Sequence, residues 1–359
     1  MSWLLAFVGF ALLVILHELG HFSVAKLVGM RVEKFSLFFP PTLFSKKVGE
    51  TEYAIGAIPA GGYVKITGMN PDEELPPEVR DRAYHAQPVW KRIAVISAGP
   101  AVNLVLALVL LFVFYAAIGP PTGTDRVSSI EKGFPAEGEL QPGDKLVAVD
   151  DLVGSPRALS DKIASHDCEG GSTRNRCVAA DPATLVVRRD GQRRVIELSP
   201  IYDPGEERPR LGFRFAEGPR EALPVGESAD VSLDQFWFIT KATVSLPARL
   251  FNAEQRKELS GVVGSYEVTR QTILNDFAEV IAILAVISLS LAIVNLFPFL
   301  PLDGGHIFWA IVEKVRGRPV SLAVMERAGV VGFMLVMVVF VIGFTNDLGR
   351  LTGEGFNVR

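Results

Sequence analysis

A short segment near the amino terminus, His17-Glu18-Leu19-Gly20-His21, carries residues that could do chemistry together. On a helix, residues four positions apart lie on the same face about one turn apart. Both imidazoles can therefore reach one metal ion, and Glu18 lies beside them as a base for the attacking water. The chain has only five histidines, so this spacing seldom arises by chance. We expect a zinc site with His17 and His21 as ligands and Glu18 as the catalytic residue.

A third zinc ligand is needed, because catalytic zinc usually has three protein ligands and an open position for water. The segment NLFPFLPLDGGH (295–306) offers Asp303. Its two prolines break a helix, and freed backbone is tolerated in a membrane only where it lines a cavity. We therefore expect Asp303 to be the third ligand, with a helix-end residue at the membrane interface as the alternative. His306, as a ligand or as a group that supports one, ranks below it.

The composition places these residues in a membrane protein. Of the 359 residues, 49% are hydrophobic and 21% are charged, and the apolar residues form long clusters. Soluble domains carry about 25% charged residues, spread along the chain. This pattern excludes a disordered chain, a collagen-like fibre and a typical soluble enzyme. The net charge of −4 gives no electrostatic basis for binding nucleic acid.

Four segments are predicted to cross the bilayer, whose core requires about 20 mostly apolar helical residues. They lie at 2–28, 93–118, 278–300 and 328–344. The first segment lacks the basic start and the small-residue cleavage site of a signal peptide, so we expect it to be an uncleaved span. It also contains the His-Glu motif, and ionisable groups inside a span usually mark a functional site.

The distribution of basic residues predicts the orientation of the chain. Thirteen Lys and Arg residues lie near the span ends on one side of this topology, and seven lie on the other. Because cytoplasmic loops carry the excess of Lys and Arg, we expect both termini and residues 120–275 outside the cytoplasm. The zinc site then lies near the cytoplasmic side of the inner (plasma) membrane of the cell.

The outer region 122–200 is predicted to form a compact β-rich module. A turn at QPGD, the strand LVAVDD, a helix at ALSDKIASH and a hairpin at Asp190-Gly191 follow one another. This order resembles a circularly permuted bacterial PDZ domain, and PDZ domains bind extended peptides at a sheet edge. A spacer that only blocks access is the alternative. Cys168 and Cys177 lie in this module, where an oxidising compartment permits a disulfide, with two unpaired thiols as the alternative.

The cytoplasmic loop 29–90 contains the alternating segments VEKFSLFF and ETEYAIGAIPAGGYVKI. This alternation predicts a hairpin or a small sheet at the membrane. Gly61 and Gly62 would let the backbone approach a substrate closely, and an edge strand near the active site could hold a substrate in extended form. A surface hairpin without function is the alternative.

Four features together resemble the site-2 protease family (peptidase family M50), whose members are intramembrane zinc metalloproteases. They are HELGH, SAGPAVN (97–103), NLFPFLPLDGG (295–305) and the outer PDZ-like insert. The likeness covers essentially the whole chain and is closest to the RseP-type bacterial branch. Better-known members of this branch carry two PDZ domains, whereas this sequence shows one.

The resemblance assigns roles to individual residues. It implies that His17, His21 and Asp303 bind Zn²⁺ and that Glu18 is the catalytic glutamate. It also implies that Asn295 binds substrate and that GGYVKI (61–66) belongs to a membrane-associated β-hairpin. Asn103 could orient the substrate or pack between helices, and we favour packing.

The expected fold is an α-helical membrane protein with four transmembrane helices, a cytoplasmic membrane-associated β-hairpin region and an extracytoplasmic PDZ domain. Residues 233–275 are expected to form amphipathic interfacial helices. The predicted parts are the first half of the protease core at 1–120, the PDZ-like domain at 121–202, a linker with interfacial helices at 203–275 and the second half of the core at 276–359.

The function that the resemblance implies is that of a site-2-type zinc metalloendopeptidase in the lipid bilayer. Its substrates would be single-pass membrane proteins, such as anti-sigma factors or signal-peptide remnants. A separate site-1-type protease would make a first outer cut, and the PDZ domain would screen for trimmed substrates. A non-enzymatic adaptor fits less well, because a structural metal site needs no base such as Glu18. A metal transporter also fits less well, because the second and fourth spans contain no carboxylates.

Overall fold

The computed structural model describes residues 2–70, 73–168, 174–204, 206, 208–252, 256, 259 and 261–353. The chain divides into two compact units. The first unit is made of two separate stretches, Met1–Ala117 and Leu223–Arg359, and the second unit is Ile118–Ala222. The second unit is therefore inserted, in sequence, between the two halves of the first.

Helices make up most of the first unit. In chain order the helices of the two units are α1 (Ser2–Leu27), α2 (Pro77–Arg80), α3 (Val89–Val113), α4 (Pro156–Ala164), α5 (Val225–Val244), α6 (Leu246–Arg249), α7 (Val262–Asn275), α8 (Val280–Asn295), α9 (Asp303–Arg316) and α10 (Leu322–Thr352). A π-helical turn, Phe114–Ile118, follows α3. The strands are β1 (Val32–Val48), β2 (Thr51–Ile66), β3 (Pro121–Ile130), β4 (Lys145–Val149), β5 (Ala183–Arg189), β6 (Gln192–Leu198), β7 (Ile201–Asp203), β8 (Arg208–Arg210) and β9 (Phe213–Arg220).

Three of the described helical segments are long and apolar enough to cross a membrane: Leu4–Leu27, Val89–Ile118 and Ala323–Thr352. The segment predicted as the third span, 278–300, differs from the expectation. Its helix, α8, has only 16 residues and ends at Asn295, because a proline lacks the backbone donor that would continue the helix and restricts the residue before it. At about 1.5 Å per residue, α8 is shorter than a hydrocarbon core of about 30 Å.

The helices α1 and α3 pack closely because small residues line their contact. A Cβ atom on Gly20 of α1 would lie 2.6 Å from the carbonyl oxygen of Ala98 on α3. On the other side of α3, the Ser288 hydroxyl of α8 donates a hydrogen bond of 3.0 Å to the backbone carbonyl of Asn103. Asn103 is fully buried, and neither polar atom of its side-chain amide has a hydrogen-bond partner among the described residues.

The strands β1 and β2 form a hairpin that folds back on itself. Ser36 of β1 pairs with Ala54 and also with Tyr63, so the hairpin behaves as a small sheet in which residues 62–66 form an edge. Glu50, in its tight turn, accepts hydrogen bonds from the guanidinium of Arg82 at 2.8 Å and from Lys26 at 2.7 Å. The Arg82 contact, with that of Lys26, lowers the pKa of Glu50 to about 2. These contacts connect the turn to the end of α1.

The second unit is built on a five-stranded sheet with the order β6-β5-β4-β3-β9. Asp190 and Gly191, both with positive φ, form the two-residue turn between β5 and β6, as predicted. The unit extends past the predicted end at residue 202, because β9 pairs with β3. Its core is apolar and consists of Val127, Ala136, Leu140, Leu146, Val149, Leu159, Ile163, Ala183, Leu185, Val187, Leu198 and Leu211.

A buried ion pair closes the turn before β4 in the second unit. Asp144, at 2% exposure, accepts hydrogen bonds of 2.7 and 2.6 Å from the Arg189 guanidinium and one of 2.9 Å from the backbone amide of Gln141. The hydrogen bonds from Arg189 hold the pKa of Asp144 below its usual range, despite an opposing effect of burial.

We predict that Asp144→Asn destabilises the second unit by about 3 kcal/mol at pH 7, because it leaves Arg189 without its charged partner. A carboxyl whose pKa is lower in the folded state stabilises that state above the unfolded pKa of about 3.9. The difference between wild type and variant should therefore shrink as the pH falls below about 4. Hydrogen exchange of the amides of β4 and β5 in the full-length protein measures this difference, and a pH-independent difference would contradict the prediction.

Candidate metal centre

Three side chains converge at one point in the first unit. The Nε2 atoms of His17 and His21 lie 3.2 Å apart, and the Oδ2 atom of Asp303 lies 3.2 Å from the first and 3.3 Å from the second. Both histidines are buried, at 6% and 7% exposure. Among the described residues, this trio is the group of His, Cys, Asp or Glu side chains arranged to hold a metal ion.

Helix α1 places the two histidines and Glu18. It runs without interruption from Ser2 to Leu27, so His17 and His21 lie one turn apart on its buried face. The Nδ1 atom of His21 lies 2.9 Å from the backbone carbonyl of Val95 on α3. A proton on Nδ1 donated to that carbonyl leaves Nε2 free for a metal, which is the usual arrangement of a ligating histidine.

A glycine on α3 leaves room for the His21 ring. A Cβ atom on Gly99 would overlap the Nε2 atom of His21 and would lie 2.7 Å from Cε1. Gly99 belongs to the SAGPAVN segment, so the small residues of that segment allow α3 to approach the metal ligands.

Helix α9 places Asp303, which is its first residue. The preceding segment, 296–302, folds back tightly on the start of α9. Gly304 would meet the backbone carbonyl of Leu296 if it carried a Cβ atom, and Gly305 would meet the backbone of Phe299. Both glycines are therefore required by close backbone contact, which fixes the position of Asp303 relative to the end of α8.

The spacing of the three ligand atoms fits zinc. Tetrahedral bonds of about 2.0–2.1 Å separate neighbouring ligand atoms by about 3.3 Å, which matches the observed distances. Two imidazole nitrogens and one carboxylate oxygen are a donor set of catalytic zinc sites, in which the fourth position is open. The Oδ2 atom of Asp303 is also buried without a hydrogen-bond partner among the described residues, which fits an atom reserved for a metal.

The hairpin edge lies beside Glu18. A Cβ atom on Gly62 would lie 3.0 Å from Cγ of Glu18 and 2.9 Å from the carbonyl oxygen of Ser36. Gly61 has a φ of 151° and lies against the ring of Phe39. The glycine pair thus brings extended backbone next to the glutamate of the His-Glu motif.

The other predicted residues are not among the three convergent ligands. Asn295 ends α8 with a half-buried side chain. His306 is one turn beyond Asp303 on α9 and is not part of the convergent trio that the described residues form. In the second unit, Cys168 and Cys177 are joined in a disulfide bond with their Cα atoms 6.1 Å apart.

Comparison with known proteins identifies the family. The sequence pattern of peptidase family M50 matches residues 5–339. The chain belongs to peptidase family M50. It is 31% identical over 364 residues to a predicted zinc metalloprotease of Brucella suis, covering 93% of this chain and 92% of the relative. It is 32% identical over 384 residues to the zinc metalloprotease Rip1 of Mycobacterium tuberculosis, covering 92% of each.

This M50 protein is a zinc metalloprotease, and the trio of His17, His21 and Asp303 fits the zinc that its relatives are named for. Sequence reasoning did not find the supporting partners Val95 and Gly99. A backbone carbonyl carries no residue signal, so Val95 could not have been found. Gly99 was visible as a small residue within SAGPAVN, but its contact required knowledge of the pairing of α1 with α3.

We predict that Gly99→Ala lowers the zinc affinity of the M50 protein at least tenfold, because the added methyl group displaces the His21 ring. Zinc per protein, measured by mass spectrometry after dialysis against a chelator, tests this. Gly329→Ala on α10 is the matched control, because its Cβ atom would meet only the Leu300 side chain, at 3.9 Å. Equal zinc content in the two variants would contradict the prediction.

Proposed function

We propose that this M50 protein is an intramembrane protease that cuts single-pass membrane proteins within or next to their membrane-spanning segment. The observation that carries this proposal is the location of His17, Glu18 and His21 on α1, a helix long and apolar enough to cross a membrane. Ionisable groups in such a helix are costly unless they serve a function. A protease with its metal ligands there is built to meet substrates in the bilayer.

The proposed substrate conformation is an extended strand. A peptide bond in a helix is shielded by its own hydrogen bonds, so the substrate must unwind before it is cut. Residues 62–66 offer an edge of the hairpin sheet next to Glu18, and an edge can accept a further strand through backbone hydrogen bonds. We assign Gly61 and Gly62 to this contact, and we assign Asn295, where α8 ends, to a second contact with the freed substrate backbone.

The proposed chemistry is hydrolysis with a general base. When bound to the trio, zinc polarises the scissile carbonyl and lowers the pKa of water. The Glu18 carboxylate takes a proton from the attacking water and returns it to the leaving amide nitrogen. His17, His21 and Asp303 hold the metal, and the Val95 carbonyl keeps a proton on Nδ1 of His21.

The proposed role of the second unit is that of a PDZ domain that screens substrates. Its strand β9 lies at the edge of the five-stranded sheet. A cavity of about 290 Å³ lies at the start of β9 and is lined by Ser160 and Ile163 of α4, by Glu206 and by residues 208–215. A helix beside an open sheet edge is the arrangement by which PDZ domains add a peptide strand. Substrates already trimmed by an upstream site-1-type protease would present such an end.

The proposed topology has four spans, with α8 as the third. Phe277–Glu279 forms a 3₁₀ turn before α8, and residues 296–302 follow it. Together they extend the apolar segment beyond the 16 helical residues. We place the protein in the inner (plasma) membrane. Lys and Arg are in excess near α1, α3 and α9, and cytoplasmic loops carry such an excess. The active site would then lie near the cytoplasmic side, and the second unit would be extracytoplasmic.

We predict that Glu18→Gln lowers the rate of cleavage about 100-fold or more, because a general base typically contributes that much to the rate. The variant should keep its zinc, because Glu18 is not one of the three ligands. The assay uses purified protein in detergent with a tagged single-span substrate, and zinc is measured in the same samples. Cleavage by the zinc-loaded variant at the wild-type rate would contradict the role of Glu18.

The same assay separates an intramembrane protease from a protease of soluble segments. A second substrate carries the same cut sequence on a soluble carrier, and we expect the single-span substrate to be cut faster. Equal or faster cleavage of the soluble carrier would contradict the proposed substrate class.

We also predict that Gly62→Ala lowers kcat/KM about 10- to 100-fold while zinc is retained, because the methyl group displaces Glu18 and the substrate strand. Kinetics with the single-span substrate, with zinc measured alongside, test this. If Gly62→Ala has the wild-type kcat/KM, the proposal that the edge strand contacts the substrate at the active site is wrong.

A further inference from the structure

A bidentate ion pair joins α3 to α9 in the first unit. The Arg92 guanidinium donates hydrogen bonds of 2.9 and 2.6 Å to the two carboxylate oxygens of Glu313. Arg92 is buried, at 8% exposure, and the Glu313 side chain is mostly buried, at 25% exposure. The paired geometry fixes the orientation as well as the distance of the two groups, which a single point contact does not.

Each partner lies on a helix that supports one part of the zinc site. Arg92 precedes Val95 by about one helical turn on α3, and Val95 supplies the carbonyl that faces Nδ1 of His21. Glu313 lies in the second half of α9, whose first residue is Asp303. Because each helix is a rigid rod, an ion pair between them fixes the distance from the His21 support to the third ligand.

The same ion pair adjoins the end of the hairpin. The guanidinium of Arg92 lies 5.9 Å from the centre of the Tyr84 ring. The backbone amide of Tyr84 donates a hydrogen bond of 2.8 Å to the backbone carbonyl of Thr67, the residue directly after β2. Tyr84 also packs in an apolar cluster with Ile66 and Val95. The ion pair thus lies where α3, α9 and the strand that reaches Glu18 meet.

Stability alone does not account for this arrangement. A buried ion pair contributes little more to folding than apolar side chains of the same volume, and removing one partner is costly. Apolar residues would fill the contact between α3 and α9, but they would not fix one orientation. The use of a charged pair here therefore indicates a need for position.

We propose that Arg92 and Glu313 are positioning residues, which hold Asp303 at the distance from His17 and His21 that zinc requires. The proposal concerns the metal centre, so it holds for any substrate class. Its prediction is that Glu313→Gln loses zinc to a chelator about tenfold faster than wild type, as expected when a group that supports a ligand is removed.

The experiment uses the full-length protein in detergent and measures two properties of the metal site. The first is the rate of zinc loss to an excess of chelator. The second is the visible spectrum of the cobalt-substituted protein, which reports the coordination geometry and would not change if the ion pair only stabilised the fold. The swapped double variant Arg92→Glu with Glu313→Arg restores the pair, and we expect it to recover slow zinc loss.

Two further variants keep the outcome decisive. Glu267→Gln removes the carboxylate of another bidentate pair, in which Glu267 accepts hydrogen bonds of 2.8 and 2.5 Å from Arg270 on α7, so it controls for loss of an ion pair elsewhere in the first unit. Arg92→Met with Glu313→Met removes both charges together and leaves no buried charge unpaired, so it is expected to fold even if Glu313→Gln does not. Faster zinc loss and an altered cobalt spectrum in this double variant support the proposal. A wild-type rate of zinc loss in the double Met variant, or equally fast zinc loss in Glu267→Gln, would overturn the proposal.

Discussion

The convergence of two imidazoles and one carboxylate within 3.3 Å of one another is the constraint on which the rest of the first unit depends. Polar groups are expensive among apolar helices unless they bind something in common. His17 and His21 come from a single uninterrupted helix, so their spacing follows from helical geometry alone. Asp303 comes from a distant part of the chain and needs support from other elements.

That support is provided largely by backbone and by residues with little or no side chain. Gly20 and Gly99 allow α1 and α3 to approach, the carbonyl of Val95 faces His21, and Gly304 and Gly305 let the chain turn back before α9. Away from these contacts, α3 and α10 carry exposed bulky side chains, such as Trp90 and Val105 of α3 and Phe333 of α10. The protein therefore combines a closely packed interior around the metal with an apolar outer surface.

Much of the site could be predicted from the sequence, because the chemistry resides in residues with a distinctive spacing. HELGH and the Asp303 of NLFPFLPLDGG are brought together as expected. The limits of elements were harder to predict. Apolar composition continues past Asn295, so hydropathy extended the third span to residue 300, whereas the prolines end the helix. The sequence predicts an end of the second unit at residue 202 and misses β9, because the pairing of β9 with β3 is a long-range contact without a local signal.

Long-range partners between charged residues were also invisible. Arg92 was counted among the basic residues at a span end, which is a common position for a residue without a specific partner. Its ion pair with Glu313 joins positions far apart in sequence, and only the folded arrangement of α3 and α9 reveals it.

The insertion of the second unit between the two halves of the first has a consequence for biosynthesis. Domains generally fold in the order in which the ribosome releases them. His17, Glu18 and His21 are therefore made before the inserted unit Ile118–Ala222, and Asp303 is made after it. A nascent chain that has only reached the inserted unit carries two of the three metal ligands and no finished catalytic centre. Because the inserted unit is encoded before Asp303, the chain can become an active protease only after the inserted unit has been translated.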